Sequence, residues 1–198
     1  MKPEEKEHMK PGLNHSWIEN NQTIPKMINF TSYSVDDTLA FAETVLNELI
    51  KESATSQKDN LATVLVLRGD LGSGKTTFTK KLGLLLGVEE EITSPTFSIE
   101  KRYKIKKDQI NNDLIIPFDT LIHIDAFRLE SAKEILSIDF ENTLKNPKNL
   151  ICFEWPEMVA DLDVLPKDSP IIEFEFIDEN TRKMFFSPNP NQINGMML

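Results

Sequence analysis

A second cysteine is what this chain lacks: it carries one, Cys152, among 198 residues. No intramolecular bridge can form, and a reducing compartment is expected. Cys152 lies in the apolar run Leu150–Phe153 and reads as a buried strand thiol rather than a reactive one. Apolar runs approaching the roughly 18 residues of a membrane helix are also lacking. The N-terminal MKPEEKEHMK has no apolar core of the kind a secretory signal needs. The expected location is therefore cytoplasmic, with no membrane partner. Excess positive charge is missing too: the formal net charge is −10, whereas a protein that grips nucleic acid by itself presents a basic face to the phosphates. Only Lys101–Lys107 (KRYKIKK) is locally basic, and it reads as a solvated hairpin strand. Any RNA in the function is expected to be held by something else.

What is present suits one domain, large enough to bury a core without staples. Residues 1–27 are polar, proline-punctuated and aperiodic, and are expected to be a flexible extension. Order is expected from Ile28 to Ser187, with 188–198 a flexible tail. Ser34 reads as a helix N-cap with Asp37 three residues on, and Val35, Leu39, Ala42, Leu46 and Leu49 give the helix one buried stripe. Ala62–Leu67 (ATVLVL) is a continuous β-branched run, expected to be a strand covered on both faces. A second helix is predicted over Lys75–Leu86, with Gly87 as its C-terminal cap. After Ser94-Pro95 a strand is predicted over Thr96–Ile105, then a long hairpin loop over Lys106–Pro117. Leu121–Ile124 and Leu150–Phe153 are short buried strands ending in Asp125 and Glu154, and 130–144 is helix-like. Ile172–Phe176 and Lys183–Phe186 form a closing hairpin around the DENT turn, Asp178–Thr181. Strands alternating with helices, then a hairpin, predict a three-layer α/β/α domain with a mixed sheet.

The chemistry is concentrated in Gly69–Thr76, GDLGSGKT. Gly69, Gly74, Lys75 and Thr76 match G-x-x-x-x-G-K-[ST], with a strand before and a helix after, as a P-loop requires. Such a loop wraps a phosphate with its backbone N–H groups, which needs glycine where a side chain would collide or φ turns positive. The helix N-terminus adds unpaired N–H groups and a positive dipole end. Lys75 reaches the β- and γ-phosphates, and the Thr76 hydroxyl ligates magnesium. Gly69, Asp70, Leu71, Gly72, Ser73, Gly74, Lys75, Thr76 and Thr77 are thus the expected nucleotide-binding stretch for ATP with Mg2+.

A P-loop also needs a carboxylate at a neighbouring strand end. Asp125 and Glu154 both qualify: one can hold the metal while the other orients or deprotonates the attacking water. With Lys75 they form the expected catalytic set. By themselves, Thr93–Thr96 is a polar turn before a strand, Trp155 an ambiguous indole, and His123 a histidine of structural type. Arg128 follows Asp125 by three residues and could pair with phosphate or carboxylate.

Four segments in this order, GDLGSGKTTFTK (Gly69–Lys80), TSPTFSIE (Thr93–Glu100), HIDAFRL (His123–Leu129) and ICFEWPE (Ile151–Glu157), resemble the TsaE (YjeE) family. These are small bacterial P-loop ATPases of tRNA threonylcarbamoyladenosine synthesis. The resemblance covers roughly Phe30–Phe186. It implies slow ATP hydrolysis, chiefly with TsaD and TsaB, the proteins that transfer threonylcarbamoyl to adenosine 37 of tRNA, so that tRNA is met only through partners. It implies that Leu71–Thr76 cradle the phosphates, that Thr76 and Glu154 bind magnesium, and that Asp125 sits at the catalytic centre. It further implies that Thr96 lies in a switch-like loop, that Trp155 flanks the site, and that Thr31–Val35 border the adenine. The family usually has Tyr where Phe127 stands, and the Lys106–Asp119 region looks longer than usual. Two other functions share the P-loop: a small-molecule kinase and a nucleotide-gated binding module with incidental hydrolysis. Small kinases clamp the transferred group with clustered arginines, whereas Arg68, Arg102, Arg128 and Arg182 are scattered here.

Overall fold

Period-two alternation and period-3.6 stripes sort the described residues into seven strands and two main helices. The computed structural model describes residues 27–55, 60–109 and 115–189. The extension over 1–27 and the tail over 188–198 lie outside the described residues, but for Met27, Pro188 and Asn189, as does the middle of the Lys106–Pro117 loop.

The strands are β1 (Ile28–Ser32), β2 (Thr63–Arg68), β3 (Glu100–Lys104), β4 (Thr120–Asp125), β5 (Asn149–Glu154), β6 (Ile171–Phe176) and β7 (Arg182–Ser187). They form one sheet in the order β1-β7-β6-β2-β5-β4-β3. The central four, β6, β2, β5 and β4, run parallel. Antiparallel partners close both ends: β3 on β4, β7 on β6 and β1 on β7. The sheet is therefore mixed, as predicted.

Alternation along β2 divides the core. Leu65 and Leu67 face one side, where they meet Leu121, Leu150, Cys152 and Ile172 under α1 (Val35–Thr55) and α2 (Lys75–Leu85). Val64 and Val66 face the other, with Ile122, Ile124, Ile151 and Phe153 under Ile135, Phe140 and Val159. The last three belong to α3 (Glu134–Ser137), α4 (Phe140–Leu144) and a 3-10 helix over Pro156–Leu162. Helices thus cover both faces, which makes three layers.

What anchors α1 is apolar area. Phe41, Ala42, Val45 and Leu49 are fully buried, and Phe41 packs edge-on against Phe78 with centroids 5.9 Å apart. Full burial of such a side chain contributes roughly 1.5–3 kcal/mol. The Asp36–Lys81 pair, 3.9 Å long with Asp36 95% exposed, adds at most about 1 kcal/mol. The α1 start follows the sequence: Ser34 Oγ accepts from the Asp37 N–H at 3.1 Å, and the Asp37 carboxylate accepts from the Tyr33 N–H at 2.8 Å. At the end of α2, Gly87 takes φ 68°. Its N–H donates to Leu84 O, and that of Val88 to Gly83 O, at 3.2 and 2.9 Å, a Schellman motif.

Four expectations change. Val35 is 55% exposed, so the buried stripe of α1 begins at Thr38 and runs through Phe41 rather than Leu39. Residues 28–32, read only as the start of order, form edge strand β1. The strand expected from Thr96 begins at Glu100, because Ser98 and Ile99 turn back to donate to Pro95 O at 2.8 and 2.7 Å, with Ile99 at φ 65°. The helical stretch 130–144 splits into α3 and α4, because Asp139 takes a left-handed φ of 57°.

Candidate functional site

Three parallel strands deliver the chemistry to one edge of the sheet. The loop Gly69–Gly74 leaves the end of β2, and β5 beside it ends in Glu154, paired in register with Leu67. On the next strand Asp125 ends β4, and Asp125 and Glu154 are register partners. Ligands of open α/β sheets bind at this carboxyl edge.

The loop turns on glycines with positive φ, Gly69 at 138°, Gly72 at 78° and Gly74 at 109°. Gly74 is the N-cap of α2 and offers no side chain to the first-turn N–H groups, which leaves those donors free for an anion. Lys75 is buried. Its Nζ donates to Gly69 O at 2.6 Å and to Asp70 O at 2.9 Å, and lies 4.3 Å above the Trp155 ring. Burial lowers the Lys75 pKa below that of an ordinary lysine, against the opposing pull of Glu154, Asp125, Glu157 and Asp70.

The carboxylates are buried and held. Glu154 Oε1 accepts from Thr76 Oγ1 at 3.0 Å and lies 2.8 Å from His123 Nε2. Asp125 Oδ2 accepts from Thr96 Oγ1 at 2.6 Å and Ser94 Oγ at 2.9 Å. Its Oδ1 accepts from the Phe127 N–H at 3.1 Å. Trp155, at φ 61°, leans on Phe127 with centroids 4.8 Å apart. Phe97, 86% exposed, lies under the Arg128 guanidinium at 4.2 Å.

These side chains line a cleft of about 460 Å³ whose walls include Leu71, Gly72, Gly74, Lys75, Thr76, Thr77, Thr96, Asp125, Glu154 and Trp155. Gly69, Asp70 and Ser73 form the body of the loop behind it. Val35 does not line the cleft. A larger cavity, about 1050 Å³, opens at the opposite edge of the sheet among Leu49, Val64, Leu144, Val164 and several prolines. It holds none of the loop residues, so size alone does not mark the site. Of the four arginines, only Arg128 lines the cleft, in keeping with their scatter in the sequence.

Sequence reasoning undervalued two features. By residue type alone Ser94 and Thr96 make a polar turn, and only the family resemblance singles out Thr96; both hydroxyls grip Asp125. His123 looked structural, yet it touches Glu154. The legible sign was H-x-D on a strand, where residues two apart share a face. The donor set suits a hard cation: the Thr76 hydroxyl and the Glu154 carboxylate, with the Asp125 carboxylate on the next strand, are oxygens of the kind magnesium takes. Among the described residues no group of three or more His, Cys, Asp or Glu forms a metal cage. A magnesium ion here would take few ligands from the protein and the rest from phosphate and water.

A family model described as "Threonylcarbamoyl adenosine biosynthesis protein TsaE" matches residues 32–184. The tRNA threonylcarbamoyladenosine biosynthesis protein TsaE of Rickettsia felis is 36% identical over 138 residues, spanning 68% of this chain and 70% of the relative. The protein of the same description from Treponema pallidum is 31% identical over 153 residues, spanning 77% and 95%. The crystal structure of YdiB from Bacillus subtilis superposes with a TM-score of 0.55 at 22% identity, covering 87% of this chain and 93% of that one. At that identity the likeness speaks for the fold alone, a mixed sheet between helical layers. With the family match spanning most of the chain, this protein belongs to the TsaE family of threonylcarbamoyladenosine biosynthesis proteins.

Proposed function

We propose that this chain binds ATP with magnesium at Gly69–Thr77 and hydrolyses it. We further propose that it does so in the cytoplasm in support of TsaD and TsaB, which form N6-threonylcarbamoyladenosine at position 37 of tRNA. The observation that carries the reading is the convergence of Thr76, Glu154 and Asp125 beside a glycine loop at one sheet edge. Loop and first-turn N–H groups take the phosphate oxygens. Lys75, tied to its own loop's carbonyls, exchanges those partners for the β- and γ-phosphates. Thr76 and Glu154 hold magnesium, which when bound neutralises charge developing on the phosphate oxygens. Asp125 orients and deprotonates the attacking water. Because Asp125 is gripped by Ser94 and Thr96, the position of the 93–97 segment is tied to that of the general base.

Charge supports an indirect role toward tRNA. The net charge is −10, and much of the basic run is internally engaged: Lys106 with Glu89, Lys107 with Asp119, Arg102 with Glu100. The test is ATP hydrolysis by the chain alone and with TsaD and TsaB added, beside calorimetric nucleotide binding. Turnover is expected to be slow alone and stimulated by the partners. Lys75→Ala is expected to lose nucleotide binding. Asp125→Asn is expected to bind but turn over about a hundredfold more slowly. Full affinity in Lys75→Ala would place the nucleotide elsewhere, and efficient phosphoryl transfer to a small acceptor without partners would make the chain a kinase.

A further inference from the structure

His123 stands two residues before Asp125 on β4, so both side chains leave the same face of the strand, His123 deeper in the core. Its ring is 0% exposed, and a polar ring in that position is costly unless hydrogen-bonded. Nε2 lies 2.8 Å from Glu154 Oε1. A carboxylate oxygen can only accept, so Nε2 carries the hydrogen and donates. Nδ1 has no hydrogen-bond partner among the described residues. The ring's polar attachment is therefore to the one oxygen that also accepts from Thr76 Oγ1. Were the ring only filling space, an apolar side chain would serve without leaving a nitrogen unpartnered.

We propose that His123 is the positioning residue for Glu154. It donates from beneath to Oε1 and fixes the carboxylate against Thr76, so that the two oxygens stand ready for magnesium before nucleotide arrives. A glutamate left to itself explores three side-chain torsions, and freezing it costs rotamer entropy. Two donors on one oxygen meet that cost in the folded protein rather than on binding. The proposal rests on the reading of Thr76 and Glu154 as magnesium ligands.

The test measures ADP affinity by calorimetry with magnesium and again in EDTA, and takes the ratio as the metal-dependent gain. Three variants are compared: His123→Leu removes the donor, His123→Gln sets an amide nitrogen near the place of Nε2, and His123→Asn is too short to reach Glu154. Thermal unfolding monitors the fold of each. His123→Leu and His123→Asn are expected to lose about tenfold of the gain with affinity in EDTA unchanged, and His123→Gln to keep it. Should His123→Leu fail to fold, the Gln and Asn variants decide between them. Retention of the gain in His123→Asn, or an equal loss in all folded variants, overturns the assignment. A wild-type protein that binds ADP but gains nothing from magnesium instead overturns the reading of Thr76 and Glu154, and the proposal with it.

Discussion

At the scale of single residues, two loop glycines are needed for different reasons. A Cβ on Gly69 would meet Phe174 O at 2.4 Å, with φ at 138°. The obstacle is backbone, which cannot rotate away. Gly72 has open space around it and only its φ of 78° to defend. Gly69→Ala is expected to cost at least about 2 kcal/mol. Gly72→Ala is expected to cost about 1 kcal/mol, partly offset by the stiffer unfolded chain. Thermal unfolding should separate them, with Gly72→Ala lower by about 2–4 °C and Gly69→Ala by clearly more. Equal shifts would mean that the close approach to β6 relaxes. The P-loop spacing announces Gly69 but leaves position 72 open, and that Gly69 abuts another strand depends on β6, more than a hundred residues away in the chain.

Among the elements, α1 shows how much local chemistry can place by itself. Ser34 and Asp37 fix its start through two hydrogen bonds, and both residues are legible as a cap. Ser34→Ala is expected to cost about 1 kcal/mol and about 2–4 °C in Tm. An unchanged Tm would show that the neighbouring Ser32–Thr38 hydroxyl contact holds the turn alone. The segment 96–99 shows the opposite. Its alternation suggests a strand, yet it turns back on Pro95. The competing gain lies outside the segment: two hydroxyls reach the buried Asp125 carboxylate, and a buried charge without donors is expensive. The split of 130–144 at Asp139 likewise follows from how Ile135 and Phe140 must both reach the sheet.

For the molecule as a whole, Cys152 reports on the integrity of the sheet. It lies in β5 at 0% exposure, and burial pushes its thiol up to about 12. The thiolate is the reactive form, so both access and ionisation are denied in the native state. At pH 8 an aromatic disulfide reagent is expected to leave the native protein unlabelled and to label it fully in guanidinium. The labelling rate should then follow global unfolding. Rapid native labelling would mean that β5 opens locally, which the parallel pairing on both its sides argues against.

The sequence by itself determined the phosphate loop, the two strand-end carboxylates, the half-exposed closing hairpin and the alternation of strand with helix. Each of these is written in spacing along a few consecutive residues, and local backbone preference and hydrophobic period act at that range. Only the tertiary structure decided that β5 lies between β2 and β4. That order sets Asp125 beside Glu154 in register, brings Thr76 and His123 to one oxygen of Glu154, and folds Ser94 and Thr96 onto Asp125. These contacts join residues 29 to 78 positions apart. They arise because burying both faces of the sheet fixes the strand order, and no local pattern encodes which buried donor will meet which buried acceptor.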